Sequence, residues 1–145
     1  MQRETTATFI GHSHISGLER DAVRSKIIEF IENGVTDFLC GGMGEFDTLC
    51  ANVLFEVKTK YRGVKSYLVV PYKSFRAHDK AMYDSVIYPT SLINYDFKTA
   101  IPARNEWLVD NSSCAICFVT HTGGGAAKTF DMAKKKGLKT VNLGL

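Results

Sequence analysis

Structure-breaking residues are scarce in this chain: only three prolines stand among 145 residues, so element ends must be read mostly from glycine and asparagine. Long apolar runs are missing too. No stretch approaches the roughly 20 residues of a membrane span, and Met1-Gln2-Arg3-Glu4 leads into a strand and not into a secretory core. A cytoplasmic location with no membrane partner is the expectation. The four cysteines, Cys40, Cys50, Cys114 and Cys117, sit among apolar neighbours as buried thiols would, which argues against a disulfide framework. Cys114 and Cys117 have C-x-x-C spacing, but three residues apart on a strand they face opposite ways, so metal and redox roles are set aside. Charge of one sign is also lacking. The formal net charge is +3, and the densest basic run, Lys134-Lys135-Lys136 before Gly137, is what the last turn of a capped helix favours. With no basic stripe interleaved with aromatics, nucleic acid is not the expected partner.

What is present is the composition of an ordinary folded protein, 45% hydrophobic and 23% charged, with a length suited to one domain over residues 1–145. Short apolar runs alternate with helical spacing, as buried parallel strands alternate with crossover helices. Strands are expected at Ala7–Ile10, Asp37–Cys40, Tyr67–Val70, Val86–Tyr88, Cys114–Val119 and Thr140–Leu143. Helical stripes run through Val23, Ile27, Ile28 and Ile31, then through Phe46, Leu49, Cys50, Val53 and Val57, and later through Ala126, Phe130 and Ala133. A weaker helix is read over 77–83 and a mobile loop over 90–101. Pro102 is taken as the first residue of a helix running to Asn111, with Trp107 and Leu108 in the core. Cys114–Val119, the most apolar run, is placed at the sheet centre. The fold class is α/β: a Rossmann-like three-layer α/β/α sandwich with a mostly parallel central sheet. There are no internal repeats or linkers.

Ligands of such sheets bind beyond the carboxyl ends of the strands, where loops and helix N-termini converge. Three loops qualify. In Thr120-His121-Thr122-Gly123-Gly124-Gly125-Ala126, consecutive glycines let backbone amides approach a phosphate, with Thr122, Thr129 and Lys128 as further donors; a packing turn is the plainer reading. In Gly41-Gly42-Met43-Gly44-Glu45-Phe46-Asp47 the P-loop ending is absent, and two carboxylates suit sugar hydroxyls or a base. Asp47 equally suits a helix N-terminus, whereas Glu45 has no evident structural task. The loop Gly11-His12-Ser13-His14 offers phosphate or base contacts from His12 and Ser13, with His14 in a surface turn. Two histidines could hold a metal only with a third ligand, and no metal or cofactor is expected. Arg104 could clamp a phosphate or pair with Glu106 or Asp110.

The ordered motifs Gly11-His12-Ser13, Gly41-Gly42 with Phe46-Asp47, Arg104-Asn105 with Val109-Asp110-Xaa-Ser112, and Gly123 to Thr129 resemble the SLOG superfamily over nearly the whole chain. More narrowly, they are similar to the small bacterial and phage YpsA-like proteins. The superfamily includes the Lonely-Guy phosphoribohydrolases and the single-stranded DNA binder DprA. The resemblance implies a nucleotide or nucleotide-derived ligand and a homo-oligomer. It matches Arg104 to the Lonely-Guy arginine and Gly123-Gly124 to the start of the Pro-Gly-Gly motif. The chain departs from that motif at Thr122, Ala126, Ala127 and, in place of the catalytic glutamate, Phe130. Asp131, about 100° further round a helix, substitutes poorly. N-glycosidic hydrolysis needs a carboxylate, so enzymatic activity would require Glu45 or Asp47 with Arg104. The expected function is therefore nucleotide binding, with a nucleotide N-glycosidase as one alternative and DprA-type binding of single-stranded nucleic acid as another.

Overall fold

The computed structural model describes residues 1–77 and 79–145. Thr6–Gly11 (β1), Asp37–Cys40 (β2), Lys65–Val69 (β3), Ser85–Ile87 (β4), Cys114–Phe118 (β5) and Lys139–Asn142 (β6) form a six-stranded sheet in the order β4-β3-β2-β1-β5-β6. Every pairing is parallel. Four α-helices connect the strands among the described residues: Arg20–Glu32 (α1), Gly44–Val57 (α2), Phe97–Asp110 (α3) and Gly124–Lys135 (α4). The expected three-layer α/β fold is thus present.

The layers follow from strand twist. Right-handed crossovers that step from β1 outward to β3 lay their helices on one face, and the reverse step from β5 to β6 lays its helix on the other. Accordingly α1 and α2 cover a core of Ala7, Phe9, Phe38, Ile116 and Phe118. The opposite face carries α4 on Ala115 and Cys117, and α3 on Leu39 and Val69. Cys114 and Cys117 fall in these two separate clusters, as their spacing requires, and all four thiols are free and buried.

Several boundaries differ from expectation. The run Cys114–Phe118 is fully buried but lies one strand from the edge; β1 and β2 hold the centre. α3 begins five residues before Pro102, because the Asp96 carboxylate accepts the Thr99 amide at 3.0 Å and caps the helix there. The 90–101 segment is accordingly structured, with a 3-10 turn at Thr90–Leu92 ahead of α3. Over 77–83 only a 3-10 turn at Lys80–Met82 forms, capped by Asp79, and residue 78 lies outside the described residues. Leu108 is buried and Trp107 partly so, both against Leu39 and Val69. No helix is long and apolar enough to cross a membrane among the described residues.

Candidate functional site

The chain turns back on itself between β1 and β5, so the loops leaving these neighbouring strands diverge to opposite faces and leave a crevice at their carboxyl ends. A cavity of about 390 Å³ fills this crevice.

The first wall is the loop after β1. Gly11 ends the strand where a Cβ would come within 2.2 Å of the Phe46 ring, so only glycine lets α2 seat there. His12 is buried, and its Nε2 accepts the Thr120 amide at 2.9 Å. That bond requires a neutral ring with the proton on Nδ1. The His121 ring stacks on it at 3.9 Å. Burial, and secondarily His121, hold His12 below the usual imidazole range. Ser13 and His14 also line the cavity. Among the described residues, no group of three His, Cys, Asp or Glu side chains could hold a metal ion.

The second wall comes from α2 and α3. Gly41 and Gly42 stand outside the cavity lining, and their task is close approach: a Cβ on Gly41 would lie 2.9 Å from the Asp47 carboxylate and 3.2 Å from the Arg104 guanidinium carbon. Arg104 is 2% exposed. Its Nη1 donates to the carbonyls of Gly41 at 2.8 Å and Val69 at 2.7 Å, and its Nε to the Asn105 side chain at 3.0 Å. The guanidinium thus bolts the ends of β2 and β3 together at a wall of the cavity that it also lines, and the expected pairing with Glu106 or Asp110 does not form. Both carboxylates go instead to Lys136, at 3.0 and 2.6 Å.

Asp47 lines the cavity, with its carboxylate 3.4 Å from the Gly41 amide and 3.5 Å from the Met43 amide. Desolvation pushes its pKa up to about 6, while the nearby Arg104 charge and these long amide contacts oppose the rise. Asp47 thus serves backbone amides at the start of α2 and also lines the cavity. Glu45 has the structural task it seemed to lack: its carboxylate accepts the Ile15 amide at 2.8 Å while its own amide donates to the Ser13 carbonyl at 2.9 Å. It ties α2 to the first loop and stands outside the cavity lining.

The third wall is the glycine run. Gly123, Gly124, Gly125, Ala126 and Thr129 line the cavity with His121. Gly123 and Gly124 have φ of +84° and +83°, conformations that other residues rarely adopt. No side chain caps α4, and Gly123 to Ala126 at its start line the cavity, so the positive end of the helix dipole lies at the crevice. Thr129 spends its hydroxyl on the Gly125 carbonyl at 2.8 Å. Thr120, Thr122 and Lys128 are exposed and stand outside the lining. Met43, Ile101, Arg104, Asn105 and Leu108 also line the cavity, with Phe9 and Ile10 of β1. Starting the helix at Pro102 leaves Ile101 outside it and hides the 101, 105, 108 spacing that could have found this wall.

A family model described as the YspA SLOG family matches residues 12–142, and the chain belongs to that family. No curated protein matches the sequence. Among solved structures, DNA processing protein A (DprA) from Streptococcus pneumoniae superposes with a TM-score of 0.68 at 18% identity, covering 96% of this chain and 50% of its own. DprA from Helicobacter pylori, described for its single-stranded DNA binding mode, gives 0.67 at 14% identity, covering 97% of this chain and 65% of its own. This chain thus spans half to two-thirds of the DprA chains, and the likeness carries the fold.

Proposed function

We propose that this member of the YspA SLOG family binds a nucleotide or nucleotide-derived ligand. The observation that carries the reading is the uncapped N-terminus of α4, opened by two glycines of positive φ, facing a cavity of about 390 Å³. A helix start of this kind accepts a phosphate through its amides and dipole. Asp47, across the same cavity, is an acceptor for ribose hydroxyls, and the stacked His12 and His121 rings offer a flat contact for a base. Arg104 supports the phosphate through its field and its hold on the β2 and β3 ends: Nη1 serves two backbone carbonyls and Nε the Asn105 side chain, while among the described residues Nη2 meets only the Met43 sulfur.

Mass spectrometry of small molecules released from the purified protein, paired with a thermal-shift panel of nucleotides, tests the reading. An intact nucleotide, and a melting temperature that rises with its concentration, is the expected result. No released ligand together with no shift would overturn it.

The elevated pKa of Asp47, about 6, favours a second reading in which the protein is a nucleotide N-glycosidase. A carboxylate poised near neutrality suits general acid or base work. Free base and ribose phosphate appearing on incubation, and abolished in Asp47→Asn, would establish it. The DprA structures, one of them described for single-stranded DNA binding, keep nucleic acid as a third reading against the low net charge. Affinity for single strands that falls steeply with salt is its signature.

A further inference from the structure

α3 extends beyond the cavity toward a second feature. At 100° per residue, Phe97, Ile101, Arg104, Asn105 and Leu108 fall within an arc of about 100°, and the last four line the cavity. Phe97 continues the same stripe about 6 Å further along the axis, where it is 64% exposed.

Aromatic contacts connect the two places. Tyr72 meets the Phe97 ring edge-on, centroids 4.6 Å apart. Tyr72 also packs on Phe75 at 5.8 Å, and the Arg104 guanidinium lies 6.0 Å from the Phe75 ring. Between the segments 72–74 and 95–97 opens a cleft of about 490 Å³, lined by Tyr72, Lys73, Ser74, Tyr95, Asp96 and Phe97. Asp96 accepts the amide and the hydroxyl of Thr99 at 3.0 and 2.8 Å, both on Oδ1. The cleft thus offers a ligand aromatic surface, the Lys73 and Ser74 side chains, and the second Asp96 oxygen as an acceptor for a base amino group. Exposed rings beside a cation are the chemistry that stacks a base and neutralises its phosphate.

We propose that this cleft is a stacking subsite for a second base, so that the ligand is a phosphate-linked dinucleotide whose first nucleotide occupies the cavity beside α4. The proposal rests on the nucleotide reading of that cavity. The linkage between the two nucleosides is either the phosphodiester of a short strand or the pyrophosphate of a dinucleotide, and both present the same second base to Tyr72 and Phe97.

Calorimetric titration with AMP, with the phosphodiester dinucleotide pApA and with diadenosine diphosphate tests it. At least one dinucleotide is expected to bind about 5- to 100-fold tighter than AMP; which one does so identifies the linkage. Phe97→Ala and Tyr95→Ala, both at exposed positions, should lose that gain while leaving AMP affinity and the melting temperature unchanged. Equal affinity for all three probes would overturn the proposal and leave the nucleotide reading standing. So would a gain that survives both substitutions, including the case where sedimentation shows them splitting an oligomer. Binding of none of the three probes would remove the nucleotide reading itself, and this proposal with it.

Discussion

The imidazoles of His12 and His121 lie face to face, with centroids 3.9 Å apart and planes 2° from parallel. His12 leaves β1 and His121 leaves β5, so the stack closes the crevice between the two diverging loops at its base. The Thr120 amide, donating to His12 Nε2 at 2.9 Å, adds a directed bond to the same junction. Two imidazolium rings at this separation would repel, and the Thr120 bond assigns the neutral form to His12.

This arrangement predicts that the contribution of His12 to stability is lost in mild acid. The folded-state pKa of His12 is depressed, so the unfolded chain binds the proton first. The contribution of His12 is therefore full above the ordinary histidine value near 6.5 and is lost as pH falls through the depressed folded value. Protonated Nε2 can no longer accept the Thr120 amide, a bond worth about 0.5–1.5 kcal/mol. His12→Gln keeps an acceptor and removes the titration. Melting curves between pH 5 and 8 should show the wild type losing stability relative to the variant below 6.5.

The glycine run is separable residue by residue. Nothing lies within 4 Å of a Cβ built on Gly123, Gly124 or Gly125, so alanine meets no clash at any of them. Backbone conformation alone distinguishes the three. At Gly124, φ +83° imposes on alanine about 1–2 kcal/mol, whereas Gly125 lies outside the positive-φ set. Gly124→Ala should lower stability by about that amount and weaken nucleotide binding at least tenfold. Gly125→Ala should leave stability unchanged, as chemical denaturation would register.

Buried strands were legible because parallel sheets demand continuous apolar runs: Asp37–Cys40 is observed at both expected ends, and α2 buries Phe46, Cys50, Val53 and Val57 as its spacing required. The start of α3 was not legible, because two rules compete within six residues. Proline favours a first helical turn, and Asp96 three residues before Thr99 favours a cap; the cap wins, and Pro102 is carried inside the helix. Ile101 and Leu108 have the same apolar character whether they fill a core or line a cavity, so periodicity could not separate those roles. The partners of Glu45 and Arg104 were hidden by distance along the chain. Ile15 lies 30 residues from Glu45, and Gly41 lies 63 from Arg104, and no local pattern reports a side chain bonding to remote backbone.

Removing the Arg104 guanidinium should damage the fold before it damages binding. Its Nη1 serves two carbonyls that are otherwise left without this donor, at the ends of two adjacent strands. Arg104→Leu preserves apolar contact but strands both acceptors, and should cost about 2–4 kcal/mol. Arg104→Lys restores one donor site and should recover part of the loss. Urea unfolding of the two variants would rank them, and equal stability with the wild type would count against the bolting role.

Asp47 should behave oppositely to His12. Its folded pKa is raised to about 6, mainly by desolvation. The folded state therefore holds a proton that the unfolded chain has released, and stability falls as pH climbs from about 4, where an ordinary aspartate titrates, through 6. Above that the carboxylate is charged in both states, and the folded state bears the cost of keeping it partly enclosed. Asp47→Asn removes the charge while leaving an oxygen for the Gly41 and Met43 amides, so it should stabilise the unliganded protein by about 1–2 kcal/mol at pH 7.5, discounted for the partial opening of the side chain to the cavity. At pH 4 the two proteins should be nearly equal. A residue that lowers the stability of the empty protein yet lines its cavity makes sense if the ligand compensates the charge, and the same variant should then bind ribonucleotides more weakly while losing little affinity for inorganic phosphate. If Asp47→Asn instead destabilises the protein at both pH values, the carboxylate is a structural cap and its place in the cavity is incidental.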